Sequence, residues 1–486
     1  MSEVSVVKSV GWSAVERFST IGIQFILNII IARILSPSDY GIIGMLTIFL
    51  SISQCLIDSG FSSALIQSKD RKENDFGTVF IFNTVISVSL YFILFFSAPA
   101  IARFYQQDIL VNVLRVVGLN LIISSLANVQ RAILTINIDF KTQSFVTIPS
   151  AIVSGAVGVI LAYNGFGVWA LVAQTLVNGL FMTILFWIFT KKRFKIVFDI
   201  DSFKRLGNFG VKLMFSGLLH TAYTNLYGLF IGKKYNADDL GYYTRAEQFS
   251  IFPATILTDI VTRVAYPMLC QNQDNKQELS RVYTSFIRSS CFIMFPLMMG
   301  LAVLAKPLVV LLLTEKWVSI SIMMSILALD CLFAPITRIN LQLLQAVGRS
   351  DLFLRLEIIK KSVSIVILLA TISYGLVWIC IGRFIYSVVA LLINMYYTVD
   401  IIEKSYIEQI KDWYPNLIVA SLMGGGIYFS LMLFSSEFLQ IVVGIIVGVF
   451  SYYILSIIFK LETKAIITTM VRRILKEIFY KLKQNK

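Results

Sequence analysis

Charge is scarce in this chain: Asp, Glu, Lys and Arg make up 14% of its 486 residues, against 57% apolar. So little polar surface cannot cover a water-facing globule, which excludes an ordinary soluble domain. Cysteine is scarce as well. The five present, Cys55, Cys270, Cys291, Cys331 and Cys380, are odd in number and scattered, so neither a disulfide framework nor a thiolate metal cluster is expected. His220 is the only histidine. A Walker-type phosphate loop, an HExxH pair and a CxxC pair are all lacking, and no long outer loop could house the active site of a glycan polymerase or ligase. A transporter without ATP hydrolysis, not an enzyme, fits these absences.

What the chain does have is apolar runs of about 18 to 25 residues, recurring about fourteen times, each long enough to cross roughly 30 Å of hydrocarbon as a helix. The spans read as 10-34, 40-66, 76-98, 110-136, 145-163, 167-190, 207-232, 241-268, 283-305, 317-347, 352-374, 377-398, 414-434 and 438-459. Outer-membrane strands would alternate apolar and polar residues, and these runs are continuously apolar. The expected fold is therefore an all-α polytopic membrane protein. The first run follows a short polar lead and lacks a small-residue cleavage site, so it is expected to stay as the first helix.

The net charge of +14 maps to topology rather than to nucleic acid. Lys69, Arg71 and Lys72 share one loop. Lys191, Lys192, Arg193, Lys195, Lys204 and Arg205 share another, and Lys460, Lys464, Arg472, Arg473, Lys476, Lys481, Lys483 and Lys486 mark the tail. With fourteen spans all of these fall on one side, which predicts both termini in the cytoplasm. The tail spaces Ile467, Val471, Ile474, Ile478 and Leu482 at helical intervals, the pattern of an amphipathic helix that lies on anionic inner-leaflet lipids.

An internal repeat organises the rest. Ala32 to Met45 (ARILSPSDYGIIGM) and Gly232 to Arg245 (GKKYNADDLGYYTR) align at an offset of 200, with Asp39 over Asp239 and Gly41 over Gly241. Gly167-Val168-Trp169 echoes Gly375-Leu376-Val377-Trp378. The domains read as an N-lobe (1-190), a basic linker (191-206), a C-lobe (207-398), a final helix pair (399-459) and the tail (460-486). Two similar lobes in a bilayer point to substrate held in a shared central chamber.

The chemistry sits on polar stripes. Ser13, Arg17, Thr20, Gln24 and Asn28 share one face of the first helix, and Thr47, Ser51, Gln54, Asp58 and Ser62 share one face of the second. Asn120, Ser124, Asn128, Arg131 and Thr135 repeat the pattern in the fourth. The second lobe offers Ser216, His220, Thr224 and Tyr227; then Gln248, Thr255, Asp259, Thr262 and Arg263; then Asp330, Thr337, Arg338, Asn340 and Gln345. A charge at the bilayer centre costs about 3 kcal/mol, so it faces protein or water. Arg17, Arg131, Arg263 and Arg338 lie deep, whereas Arg33, Lys212, Arg245, Arg355, Lys360 and Lys361 read as snorkelling residues near span ends. Glu16, Asp58 and Asp259 are either proton or sodium ligands or partners of these arginines, and His220 either titrates or packs. Pro253, Pro296 and Pro335 predict helix kinks. Gly424-Gly425-Gly426 and Gly444-x-x-x-Gly448 predict close packing of the last two helices.

Ala32 to Asp70, with ARILSPSDYG and DSGFSSALIQ, resembles the first hairpin of Wzx-type oligosaccharide flippases, particularly their colanic-acid exporter branch. TEKW (Thr314 to Trp317) and QAVGRSDLFLRLEIIKK (Gln345 to Lys361) extend the likeness. The resemblance implies the multidrug/oligosaccharidyl-lipid/polysaccharide (MOP) superfamily fold, two six-helix lobes around a cavity plus two further helices. The implied substrate is an undecaprenyl-pyrophosphate-linked oligosaccharide carried from the cytoplasmic to the periplasmic leaflet, with a glycan polymerase and glycosyltransferases as pathway partners. By likeness to lipid II flippases, Arg17 and Arg263 would receive the pyrophosphate. The alternatives are a cation-coupled drug or metabolite exporter of the same superfamily, a membrane glycan polymerase or ligase, and a purely structural partner of the glycan machinery.

Overall fold

The computed structural model describes residues 3–58, 60–68, 70–190 and 194–461. The tail from 462 onward, Lys69, Lys191, Lys192 and Arg193 lie outside the described residues, as does the side chain of Ser13. The described residues are helical, with no strand among them.

By contact the chain divides into two compact units, Met1–Thr244 and Arg245–Lys486. The first holds α1 (Glu3–Ile34), α2 (Pro37–Asp58), α3 (Phe61–Gln67), α4 (Glu73–Tyr105), α5 (Ile109–Val117), α6 (Leu119–Ile136), α7 (Phe140–Tyr163), α8 (Val168–Phe189), α9 (Ile200–Thr224), α10 (Leu226–Lys234) and the start of α11 (Ala237–Gln271). The second holds the rest of α11, then α12 (Lys276–Val303), α13 (Ala305–Leu313), α14 (Ile320–Asp330), α15 (Ala334–Ala346), α16 (Ser350–Thr371), α17 (Leu376–Ile402), α18 (Tyr406–Leu431) and α19 (Glu437–Ile458). That division falls inside α11, and α9 packs on α2, α3 and α4 of the first unit.

Among the described residues, ten helices or helix pairs are long and apolar enough to cross a membrane. The other four positions where the sequence places spans are also helical: α9 with α10, α11, α16 and α18, each of which carries charged residues. One short helix was not expected from the sequence. Nine-residue α13 buries Ala305, Pro307, Val309 and Leu313 and packs on α14 and α19. Bulky apolar side chains are widely exposed, Phe96 at 74% and Leu433 at 76% among them, as befits surfaces that face acyl chains.

Each unit has its own core. In the first, Phe61, Leu65, Phe76, Val79, Val129, Ile133 and Leu206 pack together, with Phe61 stacked on Phe203 at 5.2 Å. In the second, Trp413 meets Phe333 edge-on at 5.7 Å amid Met294, Phe295, Ile336 and Leu343. Ile427 of α18 seats against Gly444 and Gly448 of α19, so the glycine motif brings these helices together. Pro253 and Pro296 lie inside α11 and α12, but Pro335 opens α15 after a 3-10 turn, where it removes no helical hydrogen bond.

The repeat is legible in the backbone. Ser36 and Asp39 form a reciprocal cap at the start of α2: the Asp39 carboxylate accepts from the Ser36 N–H (2.9 Å) and Oγ (2.7 Å). At the start of α11 the Asp239 N–H donates to Asn236 Oδ1 at 2.8 Å. Gly167 and Gly375 cap α8 and α17 with φ of 54° and 109°, a region that penalises any side chain. The third span from the end of each repeat is broken at its middle, α5 from α6 at Gly118 and α14 from α15 by the turn Cys331–Phe333. Gly41 approaches Ala237 and Gly241 approaches Pro37, so the two repeated turns cross backbone to backbone within the first unit.

Within the basic linker, Asp199 starts α9 by accepting from Ser202 Oγ at 2.6 Å, a bond that holds this exposed carboxyl below its usual range. Six residues on, Arg205 Nη2 reaches both oxygens of fully buried Asp75, at 2.6 and 2.7 Å, and its Nη1 donates to the Asp70 carbonyl. Removing one partner of such a pair strands the other charge. Because Arg205 is partly exposed, Arg205→Ala is expected to cost about 2 to 3 kcal/mol. The measurement is thermal unfolding in detergent: a lowered Tm that Asp75→Asn partly restores is expected, and an unchanged Tm would contradict the assignment.

Candidate functional site

In the first unit the polar stripes of α1, α2, α6 and α7 meet. Asp58, near the end of α2, accepts from Gln54 Nε2 at 2.6 Å and from Asn128 Nδ2 of α6 at 2.5 Å. Ser124, one turn before Asn128, donates to Gln54 Oε1 at 3.3 Å. Glu16 of α1 accepts from Thr147 of α7 at 3.4 Å, and Gln143 donates to Thr135 Oγ1 at 3.1 Å. The Asp58 carboxylate is thus held by amides rather than by a direct ion pair. Arg131 is exposed on α6, its guanidinium 5.6 Å above the Phe186 ring. Arg17 and Gln24 are also exposed on α1, and Asn28 is half-buried. His220 is exposed on α9, and its carbonyl takes the Thr224 hydroxyl at 3.1 Å.

In the second unit Arg263 is exposed on α11 and Asp259 half-buried one turn earlier. Arg338 is exposed on α15 and lies within electrostatic reach of Lys360, as does Lys361. The structure corrects the sequence reading at two points here. Lys360 is no end-of-span snorkeller: it lies midway along α16, 4% exposed, with its ammonium 2.6 Å from Glu357. Asn340 does not line a polar face. It is fully buried and accepts from Tyr283 Oη of α12 at 2.5 Å, because two positions along a helix turn a side chain about 200° from Arg338.

Two ionic clusters were not anticipated. Arg383 of α17 pairs with Glu247 of α11 and with Asp330 at the end of α14 (3.4 Å). Asp412 of α18 accepts from Arg288 at 2.9 Å and from Lys404 at 2.7 Å. In the first, the long separation of the three residues hides the cluster, and only an arginine centred in an apolar run could have signalled it. The hairpin residues Asp39, Gly41, Asp239 and Gly241 are structural: caps and a crossing point.

Each unit thus carries cations, amides and hydroxyls on otherwise apolar helices. Residues 30–322, more than half of the chain, match the family described as polysaccharide biosynthesis protein. The chain belongs to that family. Among relatives of this polysaccharide biosynthesis protein, the teichuronic acid biosynthesis protein TuaB of Bacillus subtilis is 25% identical over 70% of this chain and 71% of its own length. The lipopolysaccharide biosynthesis protein WzxC of Escherichia coli is 21% identical over 85% and 86%. The solved lipid II flippase MurJ, in an inward closed conformation, matches 92% of this chain and 98% of its own with a TM-score of 0.76 at 17% identity. An inward-facing multidrug resistance MATE family transporter of the MOP superfamily matches 81% and 99% with a TM-score of 0.62 at 16% identity. The family member therefore has the fold of MOP superfamily transporters, as the sequence resemblance implied.

Proposed function

We propose that this protein moves a polyprenyl-pyrophosphate-linked oligosaccharide from the cytoplasmic to the outer leaflet of a bacterial inner membrane, by alternating exposure of a wet polar vestibule. The observation that carries the reading is that Arg17, Arg131, Arg263 and Arg338 are all exposed on membrane helices. Exposed arginine in hydrocarbon costs about 3 kcal/mol, a cost avoided where the side chain meets water or a phosphate. A lipid-linked sugar cannot cross unaided, since its hydroxyls and pyrophosphate would lose water. Asn128, Gln24 and Asn28 supply amides for the sugar, the arginines offset the phosphate charge, and the prenyl tail stays in lipid. The basic loops support a topology with both termini in the cytoplasm.

Export of two negative charges from a negative interior is favoured by about 4 to 5 kcal/mol at 100 mV, so the membrane potential biases direction. Coupling through Asp58 or Asp259 is not required. Vesicles carrying the purified protein and a fluorescent polyprenyl-pyrophosphate saccharide test this. Transfer should accelerate when the potential favours anion exit, with sodium omitted and no proton gradient. Transfer indifferent to potential would refute the mechanism, and no transfer at all would refute the function.

A further inference from the structure

At one end of α12, α18 and α19 in the second unit, a pocket of about 220 Å3 is lined by Arg288, Lys411, Asp412, Asn416 and Lys460. It adjoins a groove of about 720 Å3 whose walls are almost wholly apolar, including Phe292, Leu297, Ile427, Ile445 and Val449. The same helices, α12, α18 and α19, run past both. Arg288 lies one turn before Phe292 on α12, and Phe459 of the pocket lies one turn beyond Ser456 of the groove. The Tyr452 phenol of the groove is already engaged, since its Oη donates to the Phe292 carbonyl at 2.8 Å. An apolar groove with a charged pocket about one helical turn beyond it is complementary to an amphiphile with a polar head.

The head must be anionic. Arg288, Lys411 and Lys460 line the pocket with one carboxylate, Asp412, which Arg288 and the neighbouring Lys404 already satisfy at 2.9 and 2.7 Å, while Glu408 lies just outside the lining within electrostatic reach of Lys404 and Lys411. A second feature indicates a hydroxyl. Asn416 is 3% exposed, and its Oδ1 has no hydrogen-bond partner among the described residues, so an acceptor is left waiting for a donor. The groove follows α19 from Ile441 to Ser456, about 22 Å at the helical rise. That length suits an ordinary acyl chain and is short for a polyprenyl chain.

We propose that this pocket and groove form a site for an anionic glycerophospholipid with a hydroxylated head group, its phosphate held by Arg288, Lys411 and Lys460 and its hydroxyl by Asn416. The site is separate from the vestibule that carries the transport reading, and binding is measured without transport. The full chain in detergent is titrated with phosphatidylglycerol or phosphatidylcholine and followed by native mass spectrometry and thermal unfolding. Phosphatidylglycerol should be retained and raise Tm, phosphatidylcholine should do neither, and Lys411→Gln with Lys460→Gln should weaken phosphatidylglycerol on the order of tenfold. If that double variant does not fold, Asn416→Leu should weaken phosphatidylglycerol without altering phosphatidylcholine. Equal retention of both lipids would overturn the proposal, as would binding of glycerol phosphate as tight as the intact lipid. Full displacement by polyprenyl phosphate would instead assign the site to the transported lipid and also overturn it.

Discussion

Leucine at Gly41 or Gly241 is expected to abolish accumulation of folded protein. A Cβ added at Gly41 would sit 1.7 Å from the Ala237 carbonyl oxygen, and one at Gly241 would sit 1.9 Å from the Pro37 carbonyl oxygen. Neither neighbour is a flexible side-chain tip. Both belong to capped helix starts, where Ser36–Asp39 and Asn236–Asp239 pin the backbone. Overpacking a core costs about 1 to 3 kcal/mol when side chains can give way, and here only backbone displacement relieves the overlap. Even Gly41→Ala should lower Tm by several degrees. Gly22 and Gly228 have open space where a Cβ would be, so alanine there serves as a matched control. Size-exclusion chromatography of a fluorescently tagged protein reads the result, and a monodisperse Gly41→Leu peak with wild-type Tm would refute the crossing.

Alanine at Arg131 or Arg338 should cut surface-glycan export by roughly tenfold or more at unchanged protein level. A hydrogen bond to a charged group is worth about 1.5 to 3 kcal/mol, enough for that loss if the guanidinium contacts pyrophosphate. The two residues stand on α6 and α15, second halves of the broken spans, and both are exposed. Arg131 also rests over Phe186, which orients it without neutralising it. Lysine at either position keeps the charge but not the planar fork, and is expected to restore part of the export. Arg17→Ala and Arg263→Ala extend the series. Unimpaired export in all four single variants would remove the basis for an arginine-lined vestibule.

The legible part of the candidate site is the part that follows from helical periodicity. Ser124, Asn128 and Arg131 share a face by spacing, and the structure places Ser124 and Asn128 against Gln54 and Asp58 as two stripes in register. The method failed where spacing was irregular. Arg338 and Asn340 were grouped together, yet two positions separate them by more than half a turn, and one is exposed while the other is buried. Pairing across distant segments was invisible altogether. Glu247, Asp330 and Arg383 come from three helices and meet because α14 packs along α17 and Glu247 of α11 reaches the same arginine.

By itself the sequence determined that this is an all-helical membrane protein, where its helices fall, that a turn is repeated at an offset of 200 and which family motifs it carries, since hydropathy, period and capping are local properties of consecutive residues. Only the tertiary structure decided which polar faces are buried, that Gly41 and Gly241 serve a backbone crossing, that Lys360 pairs with Glu357 inside the protein, and that the same helices line a charged pocket and an apolar groove. The reason is geometric: a helix presents every direction around its axis, and which of them meets protein, lipid or water depends on neighbours contributed by remote parts of the chain.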